Sequence, residues 1–142
     1  MRVAMAVAVA AGVLALGGPA LAEIIRFHAN LSAPDAGKAT ASRGVGQAFV
    51  ILDTDSKTMS WRIIYAGLSG RVTGVRFNVP PEPGAALDAA MGYRGPLTSP
   101  IAASTPLSDI EIGDLRAGLW SVSLLTAARP QGEIGGDLEQ AP

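Results

Sequence analysis

From Ile24 onward the chain alternates apolar and polar residues in period two, the spacing of half-buried strands. Ile25, Phe27, Ala29 and Leu31 share one face of a predicted strand, Ile24–Leu31. Ser32–Gly44 contains Pro, Asp, Gly, Lys, Thr and Ser and reads as a loop. Val45–Leu52 is a second strand, rich in β-forming residues. Thr58–Tyr65 is a third, with Met59, Trp61, Ile63 and Tyr65 on one face and Ser60 and Arg62 on the other. The polar turn Asp53–Lys57 joins the second and third strands as a hairpin. Gly67-Leu68-Ser69-Gly70 turns the chain into a fourth strand, Arg71–Val79.

Proline then interrupts the pattern. Pro80–Gly84 cannot lie inside a sheet, because proline donates no ladder hydrogen bond. Ala85–Met91 is a weak strand or a short helix, and Leu97–Ala103 is a weak strand interrupted by Pro100. One helix is signalled over about Asp109–Ala117. Ser108 and Glu111 have capping-box spacing, Leu115 points inward, and Gly118 stops the helix. Leu119–Leu125 resumes the strand pattern with Trp120, Val122 and Leu124 on one face. A turn over Ala127–Gly132 leads to a final strand, Glu133–Leu138. These elements predict an all-β fold: a Greek-key β-sandwich or partly closed barrel, with one short helix before the penultimate strand.

The first 22 residues follow a different pattern. Arg2 precedes an apolar run from Val3 to Leu16; Gly17, Gly18 and Pro19 break it, and Ala20-Leu21-Ala22 is a small-x-small site. That order predicts a secretory signal peptide over residues 1–22, cleaved after Ala22, and a single domain over 23–142 in the periplasm or outside the cell. The apolar run is too short to span a bilayer comfortably, so no membrane span is expected after cleavage. Losing Arg2 takes the formal charge from −1 to −2, which gives no electrostatic case for nucleic acid or a polybasic membrane contact. The chain has no cysteine, so disulfides, thiolate metal sites and cysteine nucleophiles are excluded.

Three stretches of the sequence resemble a known family. Gly118-Leu119-Trp120-Ser121-Val122-Ser123-Leu124-Leu125-Thr126, followed by Arg129-Pro130-Gln131-Gly132-Glu133-Ile134-Gly135-Gly136-Asp137-Leu138, is similar to the C-terminal part of the CHRD domain. That family is named for its repeats in chordin and is also found in exported bacterial proteins. Its pattern there is roughly Y-V-N-V-H-T, then N-P-x-G-E-I-R-G-Q-L. The stretch SWRIIYAGLSGRVTGVRF resembles the family's strand, Gly-Leu turn and next strand, and FHANLSA its opening strand. The resemblance covers nearly the whole of the chain after Ala22. It implies a fold and an exported location more than a reaction. This chain departs from the pattern at its histidines: His-x-His falls on Arg76-Phe77-Asn78, and the strand histidine before Thr falls on Leu125. The family's arginine after Glu-Ile falls on Gly135.

Alternation puts Arg76 and Asn78 opposite Val75 and Phe77, and Ser121, Ser123 and Leu125 opposite Trp120, Val122 and Leu124. If the two strands are close, histidines at the family positions would suit zinc or copper. Here Arg76 cannot ligate a metal, Asn78 is a weak ligand and Leu125 is none, so no metal and no cofactor are expected. Arg76, Asn78, Ser123 and Leu125 are instead candidate ligand-binding positions, with Arg76 and Asn78 suited to a small anion or carboxylate. The plainer reading is a solvated strand face with Arg76 paired to an acidic neighbour.

Other candidates are weaker. His28 shares a face with Arg26 and Asn30, is expected to be exposed, and is the only histidine, too few for a triad or a histidine-rich metal site. Glu133, Asp137 and Glu139 alternate like a solvated edge, with Glu133 placed to cap N–H groups of its turn. Asp53 and Asp55 supply too few ligands for calcium. Gly44-Val45-Gly46 lacks the context of a nucleotide loop. Trp61, Tyr65, Phe77 and Trp120 are core residues. The resulting expectation is an exported, non-enzymatic domain that binds a protein or glycan partner or serves a structural role. The alternatives are a copper or zinc protein, or a hydrolase using paired carboxylates.

Overall fold

The computed structural model describes residues 23–34, 37, 41–79, 88–93 and 95–142. The stretch read as a signal peptide and the Pro80–Gly84 turn lie outside the described residues. Strands β1 (Ile24–Leu31), β2 (Val45–Asp53) and β3 (Thr58–Ala66) form where period two is cleanest. They pair antiparallel in an unbroken register, Phe27 opposite Val50 and Val50 opposite Trp61. The β2–β3 turn is closed by Asp53, whose Oδ1 accepts from the N–H groups of Asp55 and Ser56. This side chain is therefore committed to the hairpin.

The chain then leaves this sheet for a second one. Strand β4 (Val72–Val79) pairs on one side with β5 (Asp88–Tyr93) and on the other with β7 (Ser121–Thr126). Strand β8 (Ile134–Asp137) extends this sheet, giving the order β5-β4-β7-β8. The first sheet is completed by β6 (Ile101–Pro106) beside β3 and by β9 (Glu139–Gln140) beside β1, giving β6-β3-β2-β1-β9. The helix α1 (Asp109–Arg116) lies between β6 and β7 in the chain. Its capping box is formed in both directions, between Ser108 and Glu111.

The two inner faces meet as a sandwich core. Phe27, Val50, Leu52, Met59, Trp61 and Ile63 of the first sheet are buried, and so are Val75, Phe77, Val122 and Leu124 of the second. Each such side chain is worth about 1.5–3 kcal/mol on burial. Trp61 meets Phe77 across the interface at 5.2 Å and Tyr93 at 5.0 Å, both edge-on. Trp120, just ahead of β7, is 5.9 Å from Phe77. On one side the sheets are also tied by backbone: Ser32 and Gly135 exchange hydrogen bonds of 3.1 and 2.9 Å, joining β1 to β8.

Two expectations are corrected and one alternative is decided. The weak strand at Leu97–Ala103 lies later, at Ile101–Pro106, because it starts beyond Pro100. Its own Pro106 ends it, and β6 is an edge strand, where proline is tolerated. Within Ala85–Met91, the strand alternative holds for Asp88 onward, as part of β5. Within Glu133–Leu138 only Ile134–Asp137 is strand, β8; β9 begins beyond it at Glu139 in the other sheet, so α1 precedes the last three strands rather than the last two. The amide of Leu138 donates to the Trp120 carbonyl at 2.9 Å where the chain crosses between sheets.

Candidate functional site

The outward face of the β4–β7 pair carries the residues singled out above. Register sets Arg76 opposite Ser123 and Asn78 opposite Ser121, and it sets Gly74 opposite Leu125. On the far side of β7, Ser123 faces Gly135 and Ser121 faces Asp137. On the far side of β4, Arg76 faces Gly92. The row Gly92-Arg76-Ser123-Gly135 thus has a glycine at each end, which leaves Arg76 and Ser123 with only each other as side-chain neighbours along it. Asn78, Ser121 and Asp137 make the next row.

The face is less solvated than a bare strand surface. Asn78 is only 6% exposed, and Arg76 and Ser123 are half-buried. The Asn78 amide nitrogen lies 3.5 Å from both Ser123 Oγ and the Arg76 carbonyl, long contacts that hold it loosely. The Ser121 hydroxyl is buried with no hydrogen-bond partner among the described residues. Leu125 is buried because the β7–β8 turn folds back over it, with Leu125 Cδ2 about 4.0 Å from where a side chain on Gly132 would start. A cleft of about 330 Å³ lies over β7 and β8, lined by Ser121, Ser123, Gln131, Gly135 and Asp137 among others. Among the described residues Arg76 has no carboxylate partner. The face offers a guanidinium, an amide and two hydroxyls; the hydroxyls also line the cleft with the Asp137 carboxylate, whereas Arg76 and Asn78 lie beside the cleft and not in its lining.

The structure also gives Glu133 a role that reverses the solvated-edge expectation. Glu133 has no exposed surface, whereas Asp137 and Glu139 are exposed. Its carboxylate accepts from the Ser42 hydroxyl at 2.5 Å, the Ser69 amide at 2.6 Å and the Thr126 hydroxyl at 2.8 Å. Burial alone would raise its pKa. The hydrogen bonds from Ser42, Ser69 and Thr126 outweigh burial and bring it from 4.5 down to about 2. Glu133 was expected to cap its own turn; it caps the β3–β4 loop instead, and the hydroxyl of Thr126 accepts from Arg129 N–H within the turn. A carboxylate held ionised by three donors cannot act as a general acid near neutral pH. Asp137 and Glu139 lie apart from it, exposed, and line a small cleft of about 160 Å³ with His28.

His28 is half-buried rather than exposed, because β9 pairs beside it and places Glu139 in register. Among the described residues, no three His, Asp or Glu side chains gather as metal ligands. Sequence reasoning found Arg76, Asn78 and Ser123 from alternation. It missed Ser42, Ser69 and Thr126, which lie in loops or at a strand end and carry no shared local pattern.

Comparison with known proteins gives one result. The CHRD domain family matches residues 27–138, from β1 to the β8–β9 crossover. No curated protein and no solved structure matches the chain.

Proposed function

We propose, from the premise that this chain belongs to the CHRD domain family, that it is an exported, non-enzymatic binding domain. In this reading residues 1–22 are a signal peptide cleaved after Ala22, and residues 23–142 act as one domain in the periplasm or outside the cell. The ligand sits on the outward face of β4 and β7 at Arg76 and Ser123, with the buried Asn78 and Leu125 beneath and beside them. The observation that carries this is the half-buried Arg76, unpaired among the described residues and directly opposite Ser123, with glycines at both ends of its row.

A guanidinium pairs with a carboxylate through parallel hydrogen bonds, and this geometry favours it over a rounder cation. Asn78 and the two serines add neutral donors and acceptors. Asp137 repels a second negative charge and accepts from hydroxyls. The ligand class is therefore a carboxylate on a hydroxyl-rich body, such as the uronic acid of a glycan.

The test is amide chemical-shift mapping of the mature protein with a uronic-acid disaccharide and with its methyl ester. Shifts on β4 and β7 with the acid alone, abolished by Arg76→Ala, support the assignment. Equal shifts with the ester, or shifts away from β4 and β7, overturn it.

A further inference from the structure

The opposite side of the molecule carries a second surface. In an antiparallel sheet with one face in water, the outward positions are usually polar. On the first sheet Arg26, His28, Asn30, Gln47, Ser60 and Arg62 follow that rule, but four large apolar residues depart from it. Ile24 is 45% exposed, Val45 59%, Phe49 41% and Ile51 42%. Three of these share the outward face of β2, and Ile64 of β3 joins them. At the Val45 end the row opens into a groove of about 480 Å³, lined largely by apolar groups of Val45, Ile64, Tyr65 and Ala66.

Arginines flank this row. Arg26 on β1 is in register with Ile51, and Arg62 on β3 is in register with Phe49. Arg43 is exposed two residues before Val45. None of the three has a carboxylate partner among the described residues. Adjacent strands lie about 4.8 Å apart, and Arg26 and Arg62 are two residues out of step along β2, so they stand roughly 12 Å from each other diagonally across it. That is within the width of an α-helix with its side chains, about 10–12 Å. From Val45 to Ile51 the row is about 20 Å long, the length of roughly thirteen helical residues.

We propose that this face docks an amphipathic helix of a partner protein, with acidic residues on both sides of its apolar stripe. The stripe covers Val45, Phe49 and Ile51 and fills the groove; the acidic rows meet Arg26 and Arg62. Strand addition is not the mode, since β2 is hydrogen-bonded on both sides to β1 and β3. A second copy of the same face is disfavoured, because it would set arginine against arginine. This surface is separate from the Arg76 face, so either assignment stands without the other.

The experiment pans a 16-residue random peptide library against the mature protein, with the Arg26→Glu/Arg62→Glu double variant as counter-target. Both arginines are exposed, so the variant keeps its core, and amide spectra check this. The expected peptides carry apolar residues in helical period flanked by Asp and Glu, and they shift amides of β1–β3. Their affinity falls about tenfold or more in the double variant and weakens as salt is raised, while Phe49→Ser weakens them in any salt. Basic or patternless peptides, peptides that bind the double variant equally, or an empty selection would overturn the proposal. So would tight binding to phosphatidylglycerol vesicles that the double variant loses while no helical peptide is selected, which would make the face a lipid contact.

Discussion

Ser42 and Glu133 are 91 positions apart in the chain, and the Ser42 hydroxyl donates to Glu133 Oε2 at 2.5 Å. The same carboxylate holds the β3–β4 loop through Ser69 and the end of β7 through Thr126. Ser42 and Thr126 each accept from a backbone N–H as well, of Gly44 and Arg129 respectively. One buried anion thus gathers three loops through a chain of bonds that polarise one another. No cation neutralises it among the described residues, so the donors alone compensate for the lost water.

This carboxylate should give the protein a distinct acid sensitivity. Its folded pKa, about 2, lies below the unfolded value of 4.5, so the folded state is favoured when Glu133 is ionised. The contribution is fully present above about pH 4.5 and is lost as pH falls towards 2. A shift of that size corresponds to about 3 kcal/mol. Urea unfolding of the mature protein between pH 2 and 7 should show this decline. Glu133→Gln should be less stable at pH 7 by about 2–4 kcal/mol and should lose most of the slope below pH 4.5. An unchanged slope in the variant would assign the acid sensitivity to other carboxylates.

Thr126 tests the hydroxyl half of the same network. Thr126→Val keeps the shape of the buried side chain but removes a donor to Glu133 and an acceptor for Arg129 N–H. The expected loss is about 1–3 kcal/mol, since both partners stay buried or half-buried. Thr126→Ser keeps the hydroxyl and should recover most of it. If the serine variant is as unstable as the valine variant, the methyl packing matters and the hydrogen bonds do not.

The network explains which parts of the molecule were legible. Strands β1–β4 follow from alternation, because one face is buried and each side chain's side is set by parity. The break between β8 and β9 was not legible. Ile134, Gly136 and Leu138 continue the same parity through the crossover, so a strand that changes sheets reads as one strand. Arg76, Asn78 and Ser123 could be placed on one face, but the burial of Asn78 and Leu125 depends on what folds over that face. The Gly132-Glu133-Ile134 run carried part of the family resemblance. Its physical role appeared only when Ser42 and Ser69 were brought to it from remote loops.

The capping box on α1 provides an independent local test. Ser108 Oγ accepts from Glu111 N–H at 3.1 Å, and Glu111 Oε1 accepts from Ser108 N–H at 2.8 Å. The helix is short and, among its residues, only Leu115 is fully buried, so its start matters to its stability. Ser108→Ala should cost about 1 kcal/mol and speed amide exchange in the first turn. Ser108→Asp should cost less, because aspartate also caps and suits the positive end of the helix dipole.

Two glycines should respond to alanine with opposite signs. Gly136 sits where β8 passes β1, and a Cβ there would press on the Asn30 carbonyl oxygen and lie 3.1 Å from its carbon. Those are backbone atoms of a paired strand, so β8 itself must move. The movement would strain the Ser32–Gly135 bonds that tie the two sheets. Gly136→Ala should therefore cost about 2–4 kcal/mol and expose the Ser32 and Gly135 amides to exchange. Gly113 lies inside α1, is exposed, and has nothing within 4 Å of its would-be Cβ. Gly113→Ala should add about 0.5–1 kcal/mol by helix propensity alone. Thermal unfolding of the two variants should move in opposite directions from the parent. A neutral Gly136→Ala would mean that β8 has room to shift and that its tie to β1 contributes little.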